Sequence, residues 1–352
     1  MPRRVLSDVS PRDTIYNVTM PIPFTVLIAV AGNQPLLART LDSLAGCELP
    51  AGYTRTIVVE NGPKSGIESV ARCAARQLRV EYFYSAIPNK SNALNCALSE
   101  IRTGLVFLSD DDVRLAPQTL TSYADAAAQV SGKCYFGGPL ETDIESGEIP
   151  QSLIQFLPRT ARGMRLSYDR PTKLNRFFFL GPNWAAMAED LIRINGFDSR
   201  FGPGAVTGSV GNETDAQRRL MDAGVRPCYV PQALAWHWVR ENCLSDDWIL
   251  HRAFRHGLEW GIVRGRLLQQ RPLKRWLIRG LEVFDRIKAK LKRLQGDRIA
   301  QLEAAYRLAV WEGRHAGFKI AKQWDSLQRM PFPELSPMCD ERSAAPMLDR
   351  AA

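Results

Sequence analysis

The strongest constraint on the fold is an alternation of two residue patterns over the first 113 residues. β-branched and apolar runs predict strands, and runs with helical spacing predict helices, in the order 24–30, 36–46, 54–60, 67–78, 80–84, 90–102 and 105–108. Strands that alternate with helices are typical of a parallel sheet with right-handed crossovers. The sequence therefore predicts an α/β fold, Rossmann-like, with a mostly parallel central sheet flanked by helices.

The fourth predicted strand ends in three adjacent carboxylates, Asp110, Asp111 and Asp112. In an extended chain Asp110 and Asp112 share one side and Asp111 faces away. Carboxylate oxygens suit Mg²⁺ or Mn²⁺, and the carboxyl end of a strand is where open α/β sheets bind ligands. A metal site is one interpretation of this triplet, and a solvated acidic turn is the other.

Charge and cysteine content restrict the partners and the compartment. A net charge of +9 indicates an anionic partner, such as nucleic acid, a membrane surface or a phosphorylated substrate. The seven cysteines show no zinc-like spacing, and no signal peptide is apparent, which favours a reducing cytosol. No apolar run approaches the roughly 20 residues of a spanning helix. We therefore expect a cytoplasmic protein.

Residues 271–293 carry nine Lys or Arg residues against two acids, with apolar residues near helical spacing. A basic amphipathic helix of this kind is typical of an element at a membrane surface. The alternative is a helix that packs on the main domain with a solvated basic face. Few aromatic residues are interleaved, which argues against nucleic acid as the partner. We expect residues 271–294 to bind an anionic membrane peripherally, at the inner face of the plasma membrane.

A series of short motifs between residues 24 and 240 resembles glycosyltransferase family 2. The motifs, in order, are Glu60-Asn61-Gly62, the segment 88–95, Ser109-Asp110-Asp111-Asp112-Val113, Gly181-Pro182-Asn183-Trp184, Gly196-Phe197-Asp198, Asn212-Glu213-Thr214-Asp215, Arg219-Leu220 and His237. The resemblance implies a GT-A fold and a hexosyl- or related transferase. It also implies a nucleotide-diphosphate sugar donor, a divalent metal (Mn²⁺ or Mg²⁺) and inversion at the anomeric carbon.

The resemblance assigns metal ligands. Asp110 and Asp112 match the family's Asp-x-Asp motif, so that Asp112 is expected to bind the metal and Asp110 the metal or the ribose. His237 matches a late histidine that often completes the metal site in this family. Without the resemblance, His237 between two tryptophans would be interpreted as a buried structural histidine.

The resemblance also assigns the catalytic base to an acidic motif at a helix start. An inverting transfer needs a carboxylate that accepts the proton of the acceptor hydroxyl. Glu213 and Asp215 are both candidates, and counting back from Arg219-Leu220 places Glu213 on the family's aspartate. The alternative is that these acids only stabilise a helix that Asn212 caps.

The donor and acceptor sites follow from the same comparison. The expected contacts with the nucleotide sugar are Ala29, Ala31, Asn33, Glu60, Lys90, Asn95, Asp110 and Asp111. The first loop lacks the commoner Pro-Thr-Tyr-Asn, and Leu94 stands where the family has an arginine, for which Lys90 is a substitute. The expected acceptor side comprises Gly181, Asn183, Trp184 and the loop 202–211, and the acceptor is a glycan or a lipid-linked molecule.

These observations predict a domain organisation and leave two rival functions. We expect a tail at 1–20, a glycosyltransferase domain at 21–245, a basic helical extension at 246–329 and a loose tail at 330–352. The predicted function is sugar transfer in the synthesis of a cell-surface glycan or polysaccharide. A sugar nucleotidyltransferase is disfavoured because no glycine-rich basic loop follows the first strand. A non-catalytic family member that binds nucleotide sugars is the other alternative.

Overall fold

The computed structural model describes residues 20–268, 272–294, 296–327 and 329. The predicted tails therefore lie outside the described residues, apart from Met20. The strands are β1 (Phe24–Val30), β2 (Tyr53–Asn61), β3 (Val80–Ser85), β4 (Leu105–Asp110), β5 (Val113–Leu115), β6 (Cys134–Gly137), β7 (Leu140–Ile144), β8 (Thr172–Lys173), β9 (Trp184–Met187), β10 (Arg226–Tyr229) and β11 (Ala235–Val239).

Helices follow most of these strands in the chain. They are α1 (Gln34–Ala45), α2 (Ile67–Cys73), α3 (Lys90–Leu98), α4 (Thr119–Gln129), α5 (Arg159–Arg162), α6 (Ala188–Arg193), α7 (Asn212–Asp222), α8 (Asp246–Leu268), α9 (Pro272–Arg293) and α10 (Arg298–Lys322). The predicted helix 67–78 is shorter, because Ala74 adopts an extended conformation and ends α2.

The main sheet has the strand order β3-β2-β1-β4-β9-β6-β10-β8 within the described residues. Neighbouring strands from β3 to β4 are parallel, and β9 runs antiparallel to both β4 and β6. The mostly parallel central sheet that the sequence predicted is thereby confirmed. Because Leu108 pairs with Trp184, the turn that precedes β9 lies beside the end of β4.

Both faces of the main sheet are buried under helices. Every residue of β1 is buried, and its side chains alternate between two apolar clusters. Leu27 packs in the cluster that contains α3, and Val26 packs in the cluster that contains α1 and α4. Full burial of such a side chain contributes about 1.5–3 kcal/mol to folding, so the sheet is a rigid base for residues at its edge.

A second, three-stranded sheet has the order β5-β11-β7. The consecutive strands β6 and β7 belong to different sheets, although only two residues separate them. The chain leaves the main sheet at Gly138, where a Cβ atom would lie 1.9 Å from the carbonyl oxygen of Ala233. In this second sheet His237 pairs with Val113, the residue that follows Asp112.

The C-terminal helices form a separate layer, in which α8 and α10 approach each other at glycines. A Cβ atom on Gly257 or Gly261 of α8 would lie 2.2 or 2.3 Å from a carbonyl oxygen of α10, and one on Gly313 of α10 would lie 2.0 Å from a carbonyl oxygen of α8. The helix predicted over 271–293 is confirmed as α9. Among the described helices, none combines the length and the apolar composition that crossing a bilayer demands.

Candidate active site

A cavity of about 400 Å³ lies at the carboxyl end of β4. It collects side chains that are far apart in the sequence, because β4, α3, α7 and β11 all reach this edge of the sheets. Its walls include the predicted site residues Lys90, Asp110, Asp112, Gly181, Glu213 and His237. We call it the active-site cavity.

Lys90 lies at the centre of the acidic residues. Its Nζ is 2.5 Å from Oδ1 of Asp110 and 2.8 Å from Oε1 of Glu213. The preceding residue, Asn89, caps α3 through a 2.9 Å bond from the N–H of Asn92 and donates a 2.9 Å bond to the carbonyl of Ser199. The start of α3 is therefore pinned, and the ammonium group is held in place.

These contacts set the protonation of Lys90 and Glu213. Burial lowers the pKa of Lys90, but the carboxylates of Asp110 and Glu213 outweigh burial and raise that pKa above its ordinary value. Burial raises the pKa of Glu213, and the attraction of Lys90 more than reverses this, so the net shift is downward. Glu213 is therefore an ionised carboxylate, which is the form that accepts a proton.

Asp112 and His237 form the second group of the cavity. The chain turns after Asp110, so the extended geometry expected for the triplet is wrong, yet Asp110 and Asp112 both line the cavity. His237 Nε2 is 3.5 Å from Oδ2 of Asp112, because β11 pairs with β5. The other oxygen, Oδ1 of Asp112, is buried without a hydrogen-bond partner among the described residues.

The donor set of Asp112 and His237 fits a divalent metal. Within the described residues no three His, Cys, Asp or Glu side chains converge as a complete metal centre. Mg²⁺ keeps several waters and is bound through one or two carboxylates together with substrate phosphates, so a complete protein cage is not required. The unpartnered Asp112 oxygen beside an imidazole is such a partial site.

The two candidate bases have different surroundings. Both lie in the first turn of α7, which begins one residue earlier than a cap at Asn212 would give, because Gly211 occupies the cap with a φ of 90°. Asp215 accepts a 2.7 Å bond from Nε of Arg219 and lies 3.5 Å from Arg218. Asp215 therefore stabilises α7, whereas Glu213 lines the active-site cavity.

The residues of the predicted acceptor side lie in two different places. Gly181 lies against Glu213, since a Cβ atom at Gly181 would be 2.9 Å from the Glu213 carboxyl carbon. Asn183 lies in the core instead, where Tyr123 donates to its Oδ1 and its Nδ2 donates to the carbonyls of Pro139 and Ala233. Trp184 is fully buried as the first residue of β9. The hydrogen bonds of Asn183 and the buried ring of Trp184 therefore hold the start of β9 in the core.

Several predicted nucleotide contacts have internal partners. Glu60 is buried and accepts hydrogen bonds from Ser65 and from the hydroxyl of Tyr82. Asn95 exchanges two hydrogen bonds with the backbone of Phe197, at 2.8 and 2.7 Å. Both side chains therefore hold loops in place and do not face the cavity.

The remaining predicted contacts lie near the ends of β1 and β4. Ala29 is buried in β1 opposite Asp110, Ala31 is exposed, and Asn33 accepts a 3.4 Å bond from the N–H of Leu36 at the start of α1. Asp111 does not line the active-site cavity, and its carbonyl accepts a bond from Thr40. These residues therefore lie at the same edge of the sheet as the active-site cavity, but they do not line it.

Sequence reasoning missed two cationic residues of this cavity, Arg240 and Arg252. Arg252 lies on α8, beyond the series of motifs, and lines the cavity beside Glu213. Its Nε is buried without a hydrogen-bond partner among the described residues. No local pattern distinguishes this arginine from the other basic residues of the C-terminal helices, so only the packing of α8 identifies it.

An α/β sheet whose fourth strand ends in an acidic turn faces a helix-borne carboxylate across one cavity, which is the arrangement expected of a glycosyltransferase with a GT-A fold. The family model "Glycosyltransferase like family 2" matches residues 21–252, which is more than half of the chain. The chain therefore belongs to this family, and it is a transferase.

Individual relatives are more distant. The succinoglycan biosynthesis protein ExoM of Rhizobium meliloti (strain 1021) is 26% identical over 250 residues, covering 68% of this chain and 73% of the relative. A Pyrobaculum calidifontis mannosyltransferase in complex with GDP-Man and Mn²⁺ superposes with a TM-score of 0.48 and 16% identity, covering 88% of this chain and 77% of that one. The TarS 1–349 structure of S. aureus superposes with a TM-score of 0.46 and 14% identity, covering 87% and 92%.

Proposed function

We propose that this protein transfers a sugar from a nucleotide-diphosphate sugar to an acceptor hydroxyl, with inversion, in the synthesis of a polysaccharide or cell-surface glycan. The observation that carries the proposal is a single cavity that joins the Glu213 carboxylate to Asp112 and His237. The name of the relative ExoM, a succinoglycan biosynthesis protein, supports a polysaccharide as the product.

Asp112 and His237 are the residues that would hold Mn²⁺ or Mg²⁺. A divalent metal at this position supplies charge neutralisation to a departing diphosphate. Asp110, which is already bound to Lys90, positions that ammonium group beside the cavity. The donor therefore lies with its diphosphate towards Asp112 and its sugar towards Glu213.

Glu213 acts as the general base. The acceptor oxygen attacks the anomeric carbon, its proton passes to the Glu213 carboxylate, and the bond between the anomeric carbon and the diphosphate oxygen breaks with its electron pair on the diphosphate. Lys90 keeps Glu213 ionised before the step, and its 2.8 Å contact fixes one carboxylate oxygen, so the other is available to the acceptor.

The test is turnover with a panel of nucleotide sugars in the presence of Mn²⁺. We expect release of nucleoside diphosphate with one or two donors, and loss of that release in Glu213→Gln. Donor binding without any release, with acceptor glycans present, would instead identify a non-catalytic sugar-nucleotide-binding protein. Release of pyrophosphate from a nucleoside triphosphate and a sugar phosphate would identify a nucleotidyltransferase.

We also propose that α9 binds an anionic membrane surface, so that the enzyme works as a peripheral protein at the cytoplasmic side. Leu281, Phe284, Ile287 and Leu291 of α9 are each more than half exposed. The opposite side of α9 packs inward, where Asp285 accepts hydrogen bonds from Arg307 and from Trp311 of α10. This outward apolar face has no packing role among the residues that the structure describes.

Charge decides which partner fits the outward face of α9. Both acids of the helix are engaged, since Glu282 pairs with Arg286 and His315 while Asp285 pairs with Arg307. With about 100° of rotation per residue, Lys288 lies within the outward face between Leu281 and Phe284, and Lys290 lies at its edge, next to Ile287. Apolar residues between lysines are the composition of a helix that lies in the headgroup region of an anionic bilayer.

A further inference from the structure

Two more cavities continue from the active-site cavity on the side of Glu213. A middle cavity of about 470 Å³ shares Gly181, Glu213 and Arg252 with the active-site cavity. A distal cavity of about 440 Å³ shares Phe178 and Glu259, among others, with the middle cavity. Asp112 and His237 line neither of the two, so these cavities lead away from the proposed metal and towards the acceptor.

The distal cavity is strongly basic. Four arginines line it, Arg176, Arg218, Arg264 and Arg314, against the single carboxylate of Glu259. Arg218 lies 3.5 Å from Asp215, and in the part of the chain that the structure describes no ion pair joins the other three arginines to a carboxylate. The cavity therefore carries an excess of positive charge, and three of its guanidinium groups have no carboxylate in direct contact among the described residues.

One of these arginines is held in position by aromatic rings. Arg314 stacks on Trp260 and Trp311, with its Cζ 4.5 and 4.2 Å from the ring centres. Its Nε is buried and has no hydrogen-bond partner among the described residues. A buried donor without a partner destabilises the folded protein, and an anionic ligand in this cavity would supply the missing hydrogen bond.

We propose that the distal cavity binds a phosphate group of the acceptor, while the sugar that carries the reacting hydroxyl lies in the middle cavity against Glu213. This inference rests on the proposed transfer reaction and names its acceptor as a phosphate-bearing glycan. Arginine matches phosphate oxygens in paired hydrogen bonds, and a phosphate monoester carries nearly two negative charges, so it matches several guanidinium groups better than a single carboxylate does. The half-buried rings of Phe178 and Tyr306, which line both the middle and the distal cavity, provide flat apolar walls for sugar rings.

The first experiment measures binding of inorganic pyrophosphate by tryptophan fluorescence, with EDTA present so that no metal contributes. Trp260 lies in the distal cavity and is the expected reporter, which a Trp260→Phe variant verifies. Pyrophosphate should change the fluorescence saturably. The double variant Arg176→Gln/Arg264→Gln should weaken binding by about tenfold or more, since it removes charge-assisted hydrogen bonds. Both side chains are exposed, so the fold should persist.

The matched control is Arg72→Gln, an exposed arginine on α2 that pairs with Glu68. This variant lowers the net charge without changing a residue of the three cavities, and it should leave the affinity for pyrophosphate unchanged. Equal affinities of the wild type and the double variant would overturn the proposal, because pyrophosphate would then bind elsewhere. Weakening by Arg72→Gln to the same extent would also overturn it, because binding would then reflect net charge alone.

Further probes separate the sources of the phosphate. Tighter binding of geranyl diphosphate than of glucose 1-phosphate would identify a lipid-linked acceptor, and the reverse order a free sugar phosphate; both results support a phosphate site. Binding of glucuronate without binding of pyrophosphate would overturn it in favour of a carboxylate. Donor hydrolysis by the wild type, measured separately with Mn²⁺, tests the transferase itself: hydrolysis without pyrophosphate binding refutes only the acceptor site.

Discussion

The ammonium group of Lys90 lies 2.8 Å from a carboxylate oxygen of Glu213, a residue 123 positions away in the sequence. The same Nζ contacts Asp110 at the end of β4. One cation therefore links the strand that carries the acidic turn to the helix that carries the candidate base. The contact explains why a buried carboxylate stays ionised, and it separates the roles of Glu213 and Asp215.

Glu213→Gln should reduce turnover by about 10²–10⁴-fold, because amide nitrogen and oxygen atoms cannot accept the acceptor proton. Donor affinity should change little, because the diphosphate lies on the side of Asp112. Asp215→Asn is the comparison: it breaks the pair with Arg219 and should lower the free energy of unfolding by about 3 kcal/mol while sparing turnover of the folded protein. Steady-state kinetics and urea unfolding measure the two effects. The opposite pattern would exchange the roles.

Asp112→Asn should abolish the Mn²⁺-dependent part of nucleoside diphosphate binding, since the variant loses the anionic ligand that lies beside His237. Isothermal titration with and without Mn²⁺ measures this. Asp125→Asn, which changes an exposed carboxylate on α4, is the control and should bind as the wild type does. Unchanged Mn²⁺-dependent affinity in Asp112→Asn would show that the metal lies elsewhere.

Ile287→Glu combined with Leu291→Glu should prevent the protein from sedimenting with phosphatidylglycerol vesicles at low salt. The change places two charges on the exposed apolar face of α9 and removes apolar area that would enter the bilayer. Wild-type binding should weaken with added salt, because lysines near an anionic surface contribute about 1 kcal/mol each and are screened. Tyr168→Glu, at an exposed aromatic elsewhere, should bind normally. A wild type that ignores such vesicles would refute membrane binding.

Gly261→Ala should lower the free energy of unfolding by about 1–3 kcal/mol, because its Cβ would lie 2.3 Å from the carbonyl oxygen of Arg314 on α10. Gly280→Ala is the matched control within α9. No heavy atom lies within 4 Å of a Cβ there, so the change should stabilise the protein by about 0.5–1 kcal/mol through helix propensity. Urea unfolding gives both values, and equal effects would mean that α8 and α10 can separate freely.

Glu259 should make stability decrease with rising pH. The pKa of Glu259 is raised to about 7, chiefly by burial. The negative charges of Glu213 and Asp215 also raise this pKa, whereas the positive charges of Arg218 and Arg252 lower it. Between pH 4.5, its ordinary pKa, and about pH 7, the Glu259 side chain is ionised in the unfolded chain and protonated in the folded protein. The folded state therefore loses stability relative to the unfolded state as the pH rises.

The measurement for Glu259 is urea unfolding at pH 5 and pH 8. The free energy of unfolding of Glu259→Gln minus that of the wild type should be larger at pH 8 than at pH 5, by at most about 3 kcal/mol. The reason is that the amide carries no charge that must be buried at pH 8. The same wild-type-to-variant difference at both pH values would mean that Glu259 titrates normally in the folded protein.

The sequence by itself determined the class of fold and the edge of the sheet where the site lies. The alternation of strand and helix patterns depends on residues two to four positions apart, and such spacings are visible in the chain. The acidic turn after β4 and the acids in the first turn of α7 are local features of the same kind. Together with the resemblance to glycosyltransferase family 2, these features assigned Asp110, Asp112 and Glu213 to one site.

Only the tertiary structure decided what each side chain contacts. Asn183 matches a family motif, yet its amide fastens β9 to neighbouring loops, whereas Arg252, which matches none, lines the cavity. The apolar residues of α9 follow helical spacing, but their spacing does not reveal that the face turns outward. Such outcomes depend on contacts between residues tens to hundreds of positions apart, and the packing of whole helices and strands determines those contacts.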